Sequence, residues 1–79
     1  MNNKKIRYQI HGIKYISNYR GITNIKEQLY ENCFTKPEMN EWFKMMKEDG
    51  YQEIQVNDLV SGKQTIWVLT SNNEWVKEN

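Results

Sequence analysis

The sequence predicts an α+β domain, an antiparallel sheet of about four strands packed on one main helix in the order β-β-α-β-β. Three observations carry this. One segment near the middle has complete helix punctuation and a single apolar stripe. The segments on either side alternate apolar and polar residues with strand period. At 79 residues, of which 38% are hydrophobic, the chain has material for one small core and one domain, residues 1–79.

The N-terminal stretch reads as strand, because Ile6, Tyr8 and Ile10 alternate with Arg7, Gln9 and His11. At His11-Gly12 two readings stand. One is a tight turn into Ile13-Lys14-Tyr15-Ile16; the other is a bulge at Gly12 within one long strand. Residues 25–33 are also open to two readings. Ile25, Leu29 and Cys33 fit a helical face with Asn24 and Glu27 as a capping box, whereas Gln28, Tyr30 and Phe34 alternate as in a strand. Strand is preferred, since a lone helix needs a sheet broad enough to cover its stripe.

The helix is expected from Lys36 to about Asp49. Thr35 and Glu38 form a capping box, Pro37 sits in the first turn, and Phe34 and Met39 take the positions of a hydrophobic staple. Met39, Trp42, Phe43 and Met46 follow the i, i+3, i+4, i+7 spacing of one buried stripe. Gly50 stands where a left-handed cap belongs, with Tyr51 placed to pack back on Met46.

Tyr51 to Thr70 reads as a β-hairpin turning at Ser61-Gly62. Ile54 and Val56 supply one strand and Thr65-Ile66-Trp67-Val68-Leu69 the other. A two-residue turn sets Trp67 and Leu69 with Ile54 and Val56 against the helix, leaving Ile66 and Val68 outward; a slip by one exposes Trp67 and Leu69 instead. Asn72-Asn73 marks a turn, and Glu74 to Lys77 forms a short last strand anchored by Trp75.

Composition narrows the function classes. The chain contains no alanine, and Asn, Lys, Ile and Tyr supply 32 of its 79 residues, as in the translation of an A+T-rich gene. Low-G+C bacteria, their phages and mobile elements are the usual sources of such short chains. Eleven Lys and Arg against ten Asp and Glu give a formal charge of +1, which points to neither a strongly basic nucleic-acid binder nor an acidic DNA mimic. No apolar run approaches the ~20 residues of a spanning helix and no signal-peptide pattern opens the chain, so a cytoplasmic location and no membrane partner are expected.

Catalytic chemistry is sparse. His11 and Cys33 are the single histidine and cysteine. Neither sits in a nucleophile motif, and no metal-ligand or phosphate-loop spacing occurs. The reading is a non-enzymatic protein without catalytic residues, metal or cofactor.

Two binding surfaces compete. The first is apolar. One helix covers one sheet face, so Ile66 and Val68, or Trp67, are left to dock on another protein, with Tyr19, Tyr30 and Met45 as further contacts. The second is basic. Lys4, Lys5, Arg7, Lys14, Arg20 and Lys26 are interleaved with Tyr8, Tyr15 and Tyr19, and no acidic residue precedes Glu27. That pattern suits nucleic-acid binding by phosphate contacts and base stacking. Phe34-Thr35-Lys36-Pro37-Glu38 opening the helix after a sheet also resembles, over about ten residues, the DNA-binding arms of tyrosine recombinases.

Protein binding is preferred. Tiny size, A+T-rich composition and a leftover apolar face resemble the small accessory proteins of phages and mobile elements. Many of these occlude a host protein, as inhibitors of CRISPR nucleases and other defence systems do. The expected function is therefore steric inhibition of a host protein, such as a defence or replication factor. Nucleic-acid binding is the alternative, and a homodimer joined by edge strands or by the apolar face is a third reading.

Overall fold

A computed structural model describes residues 5–17 and 24–78. It contains strands β1 (Tyr8–Ser17) and β2 (Asn24–Cys33), helix α1 (Lys36–Glu48), and strands β3 (Glu53–Asp58), β4 (Gln64–Leu69) and β5 (Trp75–Lys77). All five strands form one antiparallel sheet in the order β2-β1-β3-β4-β5, with α1 on one face. The α+β class and the short last strand are as the sequence predicts.

Strand β1 is neither turned nor bulged at Gly12. It runs unbroken, with Gly12 opposite Leu29 on one side and Ile54 on the other. The glycine serves packing: a Cβ there would stand 2.8 Å from Met46 Sδ and 2.9 Å from the Tyr51 ring. The helix approaches β1 closely because no side chain intervenes. Residues 25–33 are strand, paired with β1 from Ser17↔Asn24 to Tyr8↔Cys33.

The helix is closed at both ends by local chemistry. Thr35 Oγ1 accepts from the Glu38 amide at 3.3 Å and donates to Glu38 Oε1 at 3.2 Å, so the carboxylate returns to the cap hydroxyl. At the other end the Tyr51 amide donates to Met46 O and the Gly50 amide to Lys47 O, with Gly50 at φ +88°. These are the two bonds of a Schellman cap.

Tyr8, Ile10, Ile54, Val56, Cys33 and Met46 form the core, flanked by Leu29, Met39, Trp42, Phe43, Tyr51, Trp67 and Trp75. Trp67 therefore faces the helix, where Phe43 meets its ring edge-on at 5.7 Å. The β3–β4 loop is longer than a two-residue turn. Asp58 pairs with Lys63 and the loop spans residues 59–62, putting Trp67 opposite Ile54. The shift relative to a two-residue turn is even, so each side chain keeps its expected face. Asp58 Oδ1 anchors the loop by accepting from the Val60 and Ser61 amides.

No helix among the described residues is long and apolar enough to cross a membrane.

Candidate functional site

Because side chains alternate along strands, the helix-facing positions fix the opposite, uncovered face. Its rows are read from the register. Gln9 stands between Asn32 and Asn57, His11 between Tyr30 and Gln55, and Ile13 between Gln28 and Glu53. Across β3, Ile66 adjoins Gln55, and Val68 adjoins Glu53 and Val76.

Two features give this face its character. The first is an ordered aromatic pair. The His11 and Tyr30 rings stack with centroids 3.9 Å apart and planes 14° from parallel. The Tyr30 hydroxyl donates to Gln28 Oε1 at 3.0 Å, and His11 Nε2 lies 2.9 Å from the same oxygen. Tyr30 is held at its hydroxyl and across its ring, yet 65% of its surface is exposed. A cleft of about 150 Å³ lies beside it, lined by Gln9, His11, Asn32 and Asn57 among others.

The second feature is apolar. Ile66 and Val68 are half-buried on the uncovered face, and Val76, directly across from Val68, is exposed. Ile13 also points to this face and is 5% exposed, outside the core cluster. The sequence reading did not single it out. Its signal is the odd spacing from Ile10, which in an unbroken strand puts Ile13 on the opposite face.

The other predicted contacts divide. Of the two alternatives for the outward residues, Ile66 and Val68 are on the uncovered face, and Trp67 is a helix-side residue packed against the core and not available as a contact there. Met45 is exposed, but on the helix, behind the sheet from Ile66 and Val68. Tyr19 lies outside the described residues.

The basic set does not assemble into one platform. Tyr8 is 6% exposed and belongs to the core, so it offers no stacking surface. Its alternation with Ile10 already placed it on the apolar face. Lys14 lies on the helix side, its Nζ 4.6 Å from the Tyr51 ring centroid. Lys26 and Tyr15 are cross-strand neighbours on the uncovered face, 5.7 Å from ammonium to ring centroid. Arg7 lies near the Tyr8 ring at 5.2 Å and, after the Val60 and Ser61 hydrogen bonds, adds a smaller pull that lowers the Asp58 pKa. At about 3.3 Å per residue, Arg7 and Tyr15 stand about 26 Å apart along the strand. Lys5 is exposed ahead of β1, while Lys4 and Arg20 lie outside the described residues.

Cys33 is fully buried at the end of β2. Burial first, then the Glu38 and Glu31 carboxylates, push its thiol above the ordinary value, which disfavours the thiolate a nucleophile needs. Among the described residues no three His, Cys, Asp or Glu side chains are grouped to hold a metal ion.

No family model, no curated protein and no solved structure matches this chain.

Proposed function

We propose that this chain is a non-enzymatic protein-binding domain that uses the sheet face opposite the helix. The observation that carries the reading is Tyr30. It is a large aromatic side chain, mostly exposed, pre-ordered by the His11 stack and the Gln28 bond. Ordering before association lowers the entropy lost on binding, which favours such a residue as an anchor. Ile66, Val68 and Val76 supply apolar area on the same face. The amides of Gln9, Asn32, Gln55 and Asn57 supply hydrogen-bonding groups around them.

The A+T-rich composition and small size support a phage or mobile-element protein that inhibits a host factor by occlusion, in the manner of anti-defence inhibitors. The test is a nuclease-treated pull-down from a low-G+C bacterial lysate, washed at high salt. One stoichiometric host protein is expected, and Tyr30→Ala and Ile66→Asp should each release it with little change in the thermal melt. Retention by both variants would place the binding surface elsewhere.

Nucleic-acid binding is a second reading, favoured by one observation. Beyond Ile13, β1 pairs with β2 alone, and this two-stranded ribbon carries the Lys26–Tyr15 pair. A ribbon of that width fits a DNA major groove. Retention that falls steeply with salt, and is lost in Lys26→Glu but not in Ile66→Asp, would favour it.

A further inference from the structure

On the helix side of the sheet, α1 packs chiefly on β1 and β2, leaving the β4–β5 half of that face incompletely covered. There a groove of about 310 Å³ opens between helix and sheet, near the lower end of the roughly 300–1,000 Å³ of ligand-binding clefts. Phe43, Met39, Val56 and Trp67 make its apolar lining, and Asn40, Thr65 and Lys77 are its polar members.

Its walls are fixed. The edge-on contact of Phe43 with Trp67 joins helix to sheet across the groove. Its charge has one sign. Lys77 lines it, and Lys47 Nζ lies 5.0 Å from the centroid of the Phe43 ring that forms its wall. No carboxylate lines it, and on the helix Glu38 is spent elsewhere, on the Thr35 cap and close enough to Cys33 to raise its thiol. An apolar slot with one ammonium group in its lining and a second against the aromatic ring of its wall selects an apolar side chain bordered by negative charge. The Asn40 amide can pair with the backbone of an extended guest.

The geometry points to a second binding site in this groove, for a segment of a partner protein that carries an aromatic side chain between carboxylates. It lies on the opposite side of the sheet from Tyr30 and does not depend on the outer-face reading.

The experiment is a ¹H–¹⁵N NMR titration of the full chain with acetyl-Glu-Phe-Glu-amide, with Lys-Phe-Lys and Glu-Ala-Glu counterparts as controls. Glu-Phe-Glu should give saturable shifts at the Phe43 amide, the Trp67 indole N–H and Lys77. Both controls should bind at least about tenfold more weakly. Lys77→Glu should weaken Glu-Phe-Glu binding by a similar factor and improve Lys-Phe-Lys. Should that variant fail to fold, Lys47→Glu, at an exposed position whose ammonium lies over the Phe43 ring, is expected to act in the same direction. Absence of saturable shifts at millimolar peptide, equal binding of Lys-Phe-Lys, or shifts confined to the Tyr30 face would each overturn the proposal. Tyr30→Ala serves as the independent marker, since it should abolish outer-face binding and leave these shifts unchanged.

Discussion

Gly12 shows how much one side chain, by its absence, sets in this protein. Met46 Sδ and the Tyr51 ring occupy the space a Cβ would need. Both are side-chain atoms, so part of the clash can relax, but Met46 is itself fully buried in the core. Gly12→Ala should therefore cost about 1–3 kcal/mol, as overpacking does. Urea denaturation should show a lower midpoint with an unchanged slope. Cys33 provides a second residue-scale prediction. Its thiol is held above the ordinary value in the folded state, so the native protein keeps a proton that the unfolded chain releases. Stability from this group is complete below the unfolded pKa of about 8.5 and is lost as pH rises through that value toward the folded one. Denaturation midpoints should fall across that alkaline window in the wild type. In Cys33→Ala that component of the fall should be missing. A thiol reagent should label Cys33 in the native protein far more slowly than in the unfolded chain.

At the scale of elements, the clearest signals in the sequence were those whose physics is local. The helix was readable from Thr35, Glu38 and Gly50 because caps involve residues only a few positions apart. Thr35→Ala should accordingly cost about 1 kcal/mol by removing the acceptor for the Glu38 amide, read by thermal melts with Ser as the conservative control. The faces of β3 and β4 were also readable, since parity survives an even register shift. The register itself was not, because Asp58 closes a longer loop than Ser61-Gly62 suggests. The Val60 amide foremost, then Ser61, hold the Asp58 carboxyl below its usual value. That contribution is present above the ordinary Asp pKa of about 3.9 and disappears as pH falls through the folded value. Protection of the Val60 and Ser61 amides, taken relative to the intrinsic exchange rate at each pH, should fall on acidification, and Asp58→Ala should lower it at neutral pH. Strand β2 resisted a local reading because its Asn24–Glu27 cap signal competes with strand alternation, and only pairing with β1 decides between them. The Tyr30–His11 stack was hidden for the same reason: the two residues are 19 positions apart and meet through register alone.

The whole molecule is organised around β1, which pairs with β2 nearby in sequence and with β3 across 40 to 50 positions. The β1–β2 hairpin is cheap in loop entropy. The β1–β3 ladder is costly, because the chain must close over β2 and α1 before any of its contacts form. Met46 is the core residue that α1 contributes, resting in the space left by Gly12, so helix docking and β1–β3 pairing should form together. Refolding should then be limited by this non-local step, on the millisecond-to-second scale usual for such topologies. Ile54 pairs with Gly12 on one side and Trp67 on the other and is fully buried. Ile54→Val should destabilise by about 0.5–1.5 kcal/mol and act mainly by slowing folding. Leu69→Ala, in the later β4–β5 ladder, should act mainly by speeding unfolding. Stopped-flow tryptophan fluorescence across urea concentrations separates the two effects. If Leu69→Ala slows folding instead and Ile54→Val leaves the folding limb unchanged, the β4–β5 hairpin is the nucleus. The closure of β1 on β3 would then be its consequence.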